Sequence, residues 1–205
     1  MSIERFLRQR AVDLMMDGTY VLPNWYDPQG RLRTFACRAT RVSPFRMMVE
    51  APVVGKVGDS LTSYFRDFGH FEGTISDTTT RGLLLELDMT RPMRARLAEK
   101  LIWLEKKKDP FSISEARQNP RFVPKASQST LTLADGTVHG CHIIDVSMSG
   151  VAVSAEIQPP TGTPLAIGAC IGRVIRHFPN GFAVRFVKEQ SRDELNRLVA
   201  RTALA

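Results

Sequence analysis

Apolar and polar positions alternate along most of this chain, in short runs separated by turn residues. Tyr20–Leu22, Phe35–Val42, Phe45–Glu50, Ser60–Phe65, Gly69–Ile75 and Gly82–Leu87 have strand character. Asp27-Pro28-Gln29-Gly30 has the composition of a hairpin turn. The pattern resumes at Ser129–Leu133, Val138–Asp145 and Val151–Ala155. It passes a Pro159-Pro160 loop and continues through Leu165–Ile167, Ala169–His177 and Gly181–Val187. Asp135-Gly136 and Asn180-Gly181 are tight-turn signals. Short strands and turns at these intervals predict small antiparallel barrels or sandwiches.

Three stretches have helical spacing instead. From Ser2 to about Met16, apolar residues fall at Ile3, Phe6, Leu7, Ala11, Leu14 and Met15, although Ala11–Met15 also reads as an entering strand. From Arg91 to Lys108 an amphipathic helix is predicted, with Met93, Leu97, Leu101 and Leu104 on one stripe. Thr90 can cap it, Pro92 is tolerated in a first turn, and Lys106, Lys107 and Lys108 lie where the helix dipole favours cations. Asp109-Pro110 stops it. A short C-terminal helix is predicted from the capping box Ser191 and Glu194, with Leu195, Leu198 and Val199 as its apolar face.

The two strand sets repeat each other. Val42-Ser43 aligns with Val146-Ser147, and Cys37 and Cys141 each precede that serine by the same interval. Gly73-Thr74-Ile75 aligns with Gly172-Arg173-Val174, and Gly82 with Gly181, at an offset five residues smaller that a loop absorbs. The fold expected is therefore mainly β. It has two tandem six-stranded antiparallel barrels, residues 1–88 and 111–205, joined by an amphipathic helix in residues 89–110.

The 205 residues carry a net charge of +7, with a pI near 9.7, which favours anionic partners without choosing among them. Hydrophobic content of 43% and charged content of 24% suit a globular chain that can bury a core. No run suggests a signal peptide or a spanning helix, and Cys37, Cys141 and Cys170 are odd in number and widely spaced. We read the chain as cytoplasmic, with reduced thiols. His139, Cys141 and His142 alternate across a strand, so no metal site is expected. No G-x-S-x-G elbow, P-loop or Rossmann glycine pattern is present, and neither an enzyme nor a cofactor is expected.

The chemistry concentrates between Arg117 and Gly150. Arg117-Gln118-Asn119-Pro120-Arg121 holds two guanidinium groups four residues apart in a segment that Pro120 keeps out of regular helix. Asp145-Val146-Ser147-Met148-Ser149-Gly150 brings a carboxylate and hydroxyls to a strand end that runs into a glycine turn. Arginine forks read phosphate oxygens or the guanine O6/N7 edge, and a carboxylate accepts from guanine N1–H and N2–H. Asp145 and Ser147, two apart, share a strand face. In the first repeat the equivalents of Asp145 and Gly150 are Arg41 and Arg46, with Pro44 inside the turn, and no paired arginines precede them.

RxxxR followed by [DN]xSxxG at this separation resembles the signature of the PilZ domain family, closely over residues 111–188 and loosely over residues 18–87. The resemblance implies a six-stranded barrel with a C-terminal helix, in an intact second copy and a degenerate first. It also implies cyclic di-GMP as ligand, held by Arg117, Arg121, Asp145, Ser147 and Gly150. The expected role is a receptor that passes a conformational change to a downstream protein partner. The segment from Lys108 to Arg121 is expected to be mobile without ligand and to fold over the barrel with it. Two alternatives are a basic double barrel that binds nucleic acid and a scaffold that works through protein contacts alone. Against the first, the aromatics do not interleave with the basic runs, so no nucleic-acid partner is expected.

Overall fold

The computed structural model describes residues 11–106, 122–124, 126–191 and 195. They form two closed six-stranded antiparallel barrels. The N-terminal barrel comprises β1 (Val12–Tyr26), β2 (Leu32–Val42), β3 (Arg46–Glu50), β4 (Ser60–Phe65), β5 (Gly69–Thr79) and β6 (Gly82–Leu87), in the order β1-β2-β3-β6-β5-β4. The C-terminal barrel comprises β7 (Gln128–Leu133), β8 (Val138–Ser147), β9 (Gly150–Ala155), β10 (Pro164–Ile167), β11 (Cys170–Phe178) and β12 (Gly181–Phe186), in the order β7-β8-β9-β12-β11-β10. Each closes on itself, so among the described residues neither barrel has an edge strand.

The two orders are one topology, and the irregularities coincide as well. The β2–β3 ladder slips between Ala39 and Arg41, and the β8–β9 ladder between Ile143 and Asp145. The β5–β6 ladder slips between Ile75 and Asp77, and the β11–β12 ladder between Val174 and Arg176. Bulges at matching places make them part of the topology the two barrels share.

The helical expectation for the N-terminus is corrected where it can be seen: Val12–Met16 is the start of β1, and residues 1–10 lie outside the described residues. The even positions Val12, Met16, Tyr20 and Leu22 are buried, which is strand periodicity. Met15, on the outer face and largely exposed, supplied the apolar residue that imitated a helix.

Local chemistry sets the hairpins. In the β1–β2 turn, Asp27 Oδ1 accepts from the Gln29 and Arg31 amides at 2.9 and 2.8 Å, and Gly30 adopts φ 77°. In the β7–β8 turn, Asp135 Oδ1 accepts from the Thr137 amide at 2.9 Å, and Gly136 adopts φ 86°. The amides of Arg31 and Thr137 hold the carboxyls of Asp27 and Asp135 below the usual carboxylate range.

Helix α1 (Arg91–Lys106) packs on the N-terminal barrel through Leu97, Ala98 and Leu101, all buried. The Arg94 amide donates to Thr90 O at 3.0 Å, opening the helix. The Arg94 guanidinium stacks over the Phe45 ring at 4.8 Å, and Lys100 Nζ donates to Asp67 O and lies over Phe68 at 4.4 Å. After the C-terminal barrel the matching bond is the Leu195 amide to Ser191 O, 3.1 Å, and Leu195 sits fully buried in that barrel's core. The rest of the predicted C-terminal helix, Glu194 included, lies outside the described residues. No helix among the described residues is long and apolar enough to cross a membrane.

Leu131, Cys141, Ile143, Val146, Val153, Val174, Phe182 and Val184 form the centre of the C-terminal core. Burial pushes the Cys141 thiol up to about 12. Iodoacetamide at pH 8 should therefore leave Cys141 unmodified in the folded protein and alkylate it in denaturing urea. Mass spectrometry that finds Cys141 labelled as fast folded as unfolded would contradict this packing.

Candidate functional site

The bulge in β8 decides where the site lies. Ile143 points into the core, and simple alternation would carry Asp145 inward too. The extra residue at the slip between Ile143 and Asp145 turns both Ile144 and Asp145 outward, after which Val146 points in and Ser147 out. The bulge in β11 does the same downstream: Val174 is in the core, and Ile175 and Arg176 face out.

These two bulges face each other across a groove of about 160 Å³ on the outer surface of the C-terminal barrel. Four strands supply one row of its residues. Asp145 on β8 pairs with Ala152 on β9, Ala152 with Ala183 on β12, and Ala183 with Arg176 on β11. Two alanines make a shallow floor between a carboxylate and a guanidinium. Ser147, Ser149, Gly150, Ile175 and Arg185 complete the walls.

The turn that carries the serines is held firmly. Ser147 Oγ donates to Gly150 O at 3.3 Å and lies 3.4 Å from Ser149 Oγ. The Phe186 amide donates to Ser149 O and the Gln190 amide to Met148 O, each at 2.9 Å. In the N-terminal barrel Ser43 makes the corresponding bonds, donating to Arg46 O at 3.1 Å and accepting from its amide at 2.9 Å. The serine thus builds the turn in both copies, whether or not ligand groups surround it. Gly150 is needed for a related reason. Its φ is not left-handed, and a Cβ there would run into the Val184 carbonyl oxygen of β12. The close approach it permits is that of strand to strand.

The structure therefore brings together Asp145, Ser147 and Gly150. Arg117 and Arg121 lie outside the described residues. Their neighbour Phe122 is described, and its position is informative. Phe122 and Val146 exchange both backbone hydrogen bonds, each 2.9 Å, in an antiparallel bridge. Val146 stands between Asp145 and Ser147, so the chain reaches the groove one peptide bond after Arg121. Arg176 and Arg185 are groove residues outside the site read from the sequence, whereas the Ser149 hydroxyl belongs to the strand-end stretch already singled out there. Only the bulge, which no composition signal marks, sets Arg176 beside Ala183.

The equivalent face of the N-terminal barrel offers a different surface. Matching topology replaces Asp145 by Arg41, Gly150 by Arg46, Ala152 by Met48, Arg176 by Asp77, Ala183 by Leu84 and Arg185 by Glu86. The floor is filled and every charge is reversed or newly introduced.

Residues 115–201 match the family model described as PilZ domain. Among solved structures, the chain is similar to the Borreliella burgdorferi PlzA protein in complex with c-di-GMP, at 13% identity and TM-score 0.32, covering 96% of each chain. It is similar to the Bacillus subtilis inhibitor of motility MotI/DgrA, at 11% identity and TM-score 0.29, over 91% of this chain and 94% of that one. It is also similar to YcgR in complex with c-di-GMP from Escherichia coli, at 9% identity and TM-score 0.28, over 96% of this chain and 84% of that one. No curated protein matches.

Proposed function

We propose, from the match of residues 115–201 to the PilZ domain family model, that the chain is a cyclic di-GMP receptor whose ligand occupies the groove of the C-terminal barrel. One observation carries the reading. The outward Asp145, Ser147 and Ser149 share a groove with Arg176 and Arg185, beside the bridge that delivers the chain from Arg121. Asp145 accepts from the guanine N1–H and N2–H edge, which adenine lacks. Arg117 and Arg121 supply forks for the phosphodiesters or for guanine O6 and N7. The alanine floor admits a flat base, and Arg176 and Arg185 add positive field around the phosphates. The bound state is passed to a protein partner through the RxxxR segment, which makes ligand contacts in one state only.

Isothermal titration of the full chain with cyclic di-GMP tests this. Micromolar association is expected, and Asp145→Ala should weaken it about tenfold or more, the cost of losing a charged acceptor for two guanine donors. No heat at high protein concentration would overturn the receptor reading. Undiminished binding by Asp145→Ala would move the ligand away from this groove.

A further inference from the structure

The N-terminal barrel keeps the groove's framework and inverts its chemistry. On its outer face Arg41 of β2 pairs with Met48 of β3, Met48 with Leu84 of β6, and Leu84 with Asp77 of β5. The corresponding row of the C-terminal barrel reads Asp145, Ala152, Ala183, Arg176. The end charges are exchanged, and two large apolar side chains, both half-buried, replace two alanines. One row is a ridge and the other a hollow. Both span four adjacent strands, three strand spacings or about 14 Å along the curved sheet from end to end.

From this complementarity we propose that the ridge of the N-terminal barrel docks into the groove of a second copy of this chain. Turning one face over about the axis of its row sets Arg41 against Asp145 and Asp77 against Arg176. It also seats Met48 and Leu84 on Ala152 and Ala183, in the hollow of about 160 Å³. Turning it about the strand direction instead would oppose Arg41 to Arg176 and Asp77 to Asp145. Like charges across an interface are strongly unfavourable, so only one docking polarity is allowed. Arg41 is open to do this: its side chain is 63% exposed, and its ion pair with Asp13, 3.5 Å, is exposed at both ends and weak enough to exchange. Asp77 is exposed and accepts from the Thr78 amide at 2.8 Å.

The contact is heterologous, one surface of a copy meeting a different surface of the next. It is small, so the association is weak, and its exposed charges make it sensitive to salt. The association does not depend on what the ligand is. A further consequence rests on the receptor reading: ligand and second copy compete for one groove, so cyclic di-GMP disperses the assembly.

Sedimentation velocity on the full chain over a range of concentrations tests the proposal. The wild type should associate with rising concentration, and Arg41→Asp and Asp145→Arg should each weaken association by about tenfold or more, the effect of a like-charge contact. An equimolar mixture of the two variants should restore dimers, because Arg41→Asp keeps an intact groove and Asp145→Arg an intact ridge. Arg176→Asp replaces Asp145→Arg if the latter does not unfold cooperatively, and gives the same mixture with Asp77→Arg. A wild type that stays monomeric, or a mixture that stays monomeric while both variants are folded, overturns the proposal. Association without ligand competition leaves the docking standing and removes the receptor reading of the groove.

Discussion

Arg121→Ala is expected to weaken cyclic di-GMP binding about a hundredfold, roughly 3 kcal/mol from two charge-assisted hydrogen bonds of about 1.5 kcal/mol each. The side chain belongs to the residue just before Phe122, whose backbone is bridged to Val146. Asp145 and Ser147 flank Val146 and line the groove. The chain is therefore anchored beside the groove at the residue that follows Arg121, which lowers the backbone entropy to be lost if the guanidinium engages there. Arg121→Lys keeps the charge but not the fork, and it should recover only part of the loss if the contact is bidentate. Titration calorimetry at fixed ionic strength measures all three proteins. Equal affinity of Arg121→Ala and wild type would remove the first motif from the site. Equal affinity of Arg121→Lys and wild type would reduce its role to charge alone.

The tandem barrels were legible because two signals agreed: alternation with turn residues, and a repeat whose offset drifted by only five residues. Gly82 and Gly181 marked that repeat reliably because each is fixed by the same contact in its own barrel. The start of β1 was legible only as the second of two readings, because Met15, apolar yet on the exposed outer face, blurred the apolar–polar alternation. Within the site, Asp145 and Ser147 were found by motif and correctly placed on one face. What put them there was not visible. A bulge is one unpaired backbone residue, and many side chains tolerate it. Without it Asp145 would point at Ile143's side of the strand, into an apolar core that a carboxylate cannot enter cheaply. The place of Arg176 beside Ala183 is hidden for the same reason. Read by plain alternation it shares a face with Val174, which is buried, so its place in the groove follows only from the slip in register.

Alanine at Gly181 should destabilise the C-terminal barrel by about 3 kcal/mol or more. Gly181 was read from sequence as a turn glycine, yet the turn residues are Pro179 and Asn180, and Gly181 already pairs with Phe178 as the first residue of β12. Its φ is not left-handed. A Cβ there would instead be driven into the carbonyl oxygen of Val153 on β9, and Gly82 faces the Val49 carbonyl in the same way. Backbone on a closed barrel cannot swing aside as a flexible side chain can, so the cost should lie at the upper end of the ~1–3 kcal/mol seen for overpacking, or above it. Two other glycines separate this cause from glycine's flexibility. Gly136 has open space but φ 86°, so alanine there should cost about 1 kcal/mol through strain alone. Gly140 has open space and no left-handed φ, so alanine there should be neutral or stabilise by about 0.4–1 kcal/mol by restricting the unfolded chain. Chemical denaturation followed by tryptophan-independent far-ultraviolet dichroism ranks the three variants. The order expected is Gly140→Ala, Gly136→Ala, Gly181→Ala from most to least stable, and a Gly181→Ala protein as stable as wild type would show that β9 and β12 are not packed as closely as described.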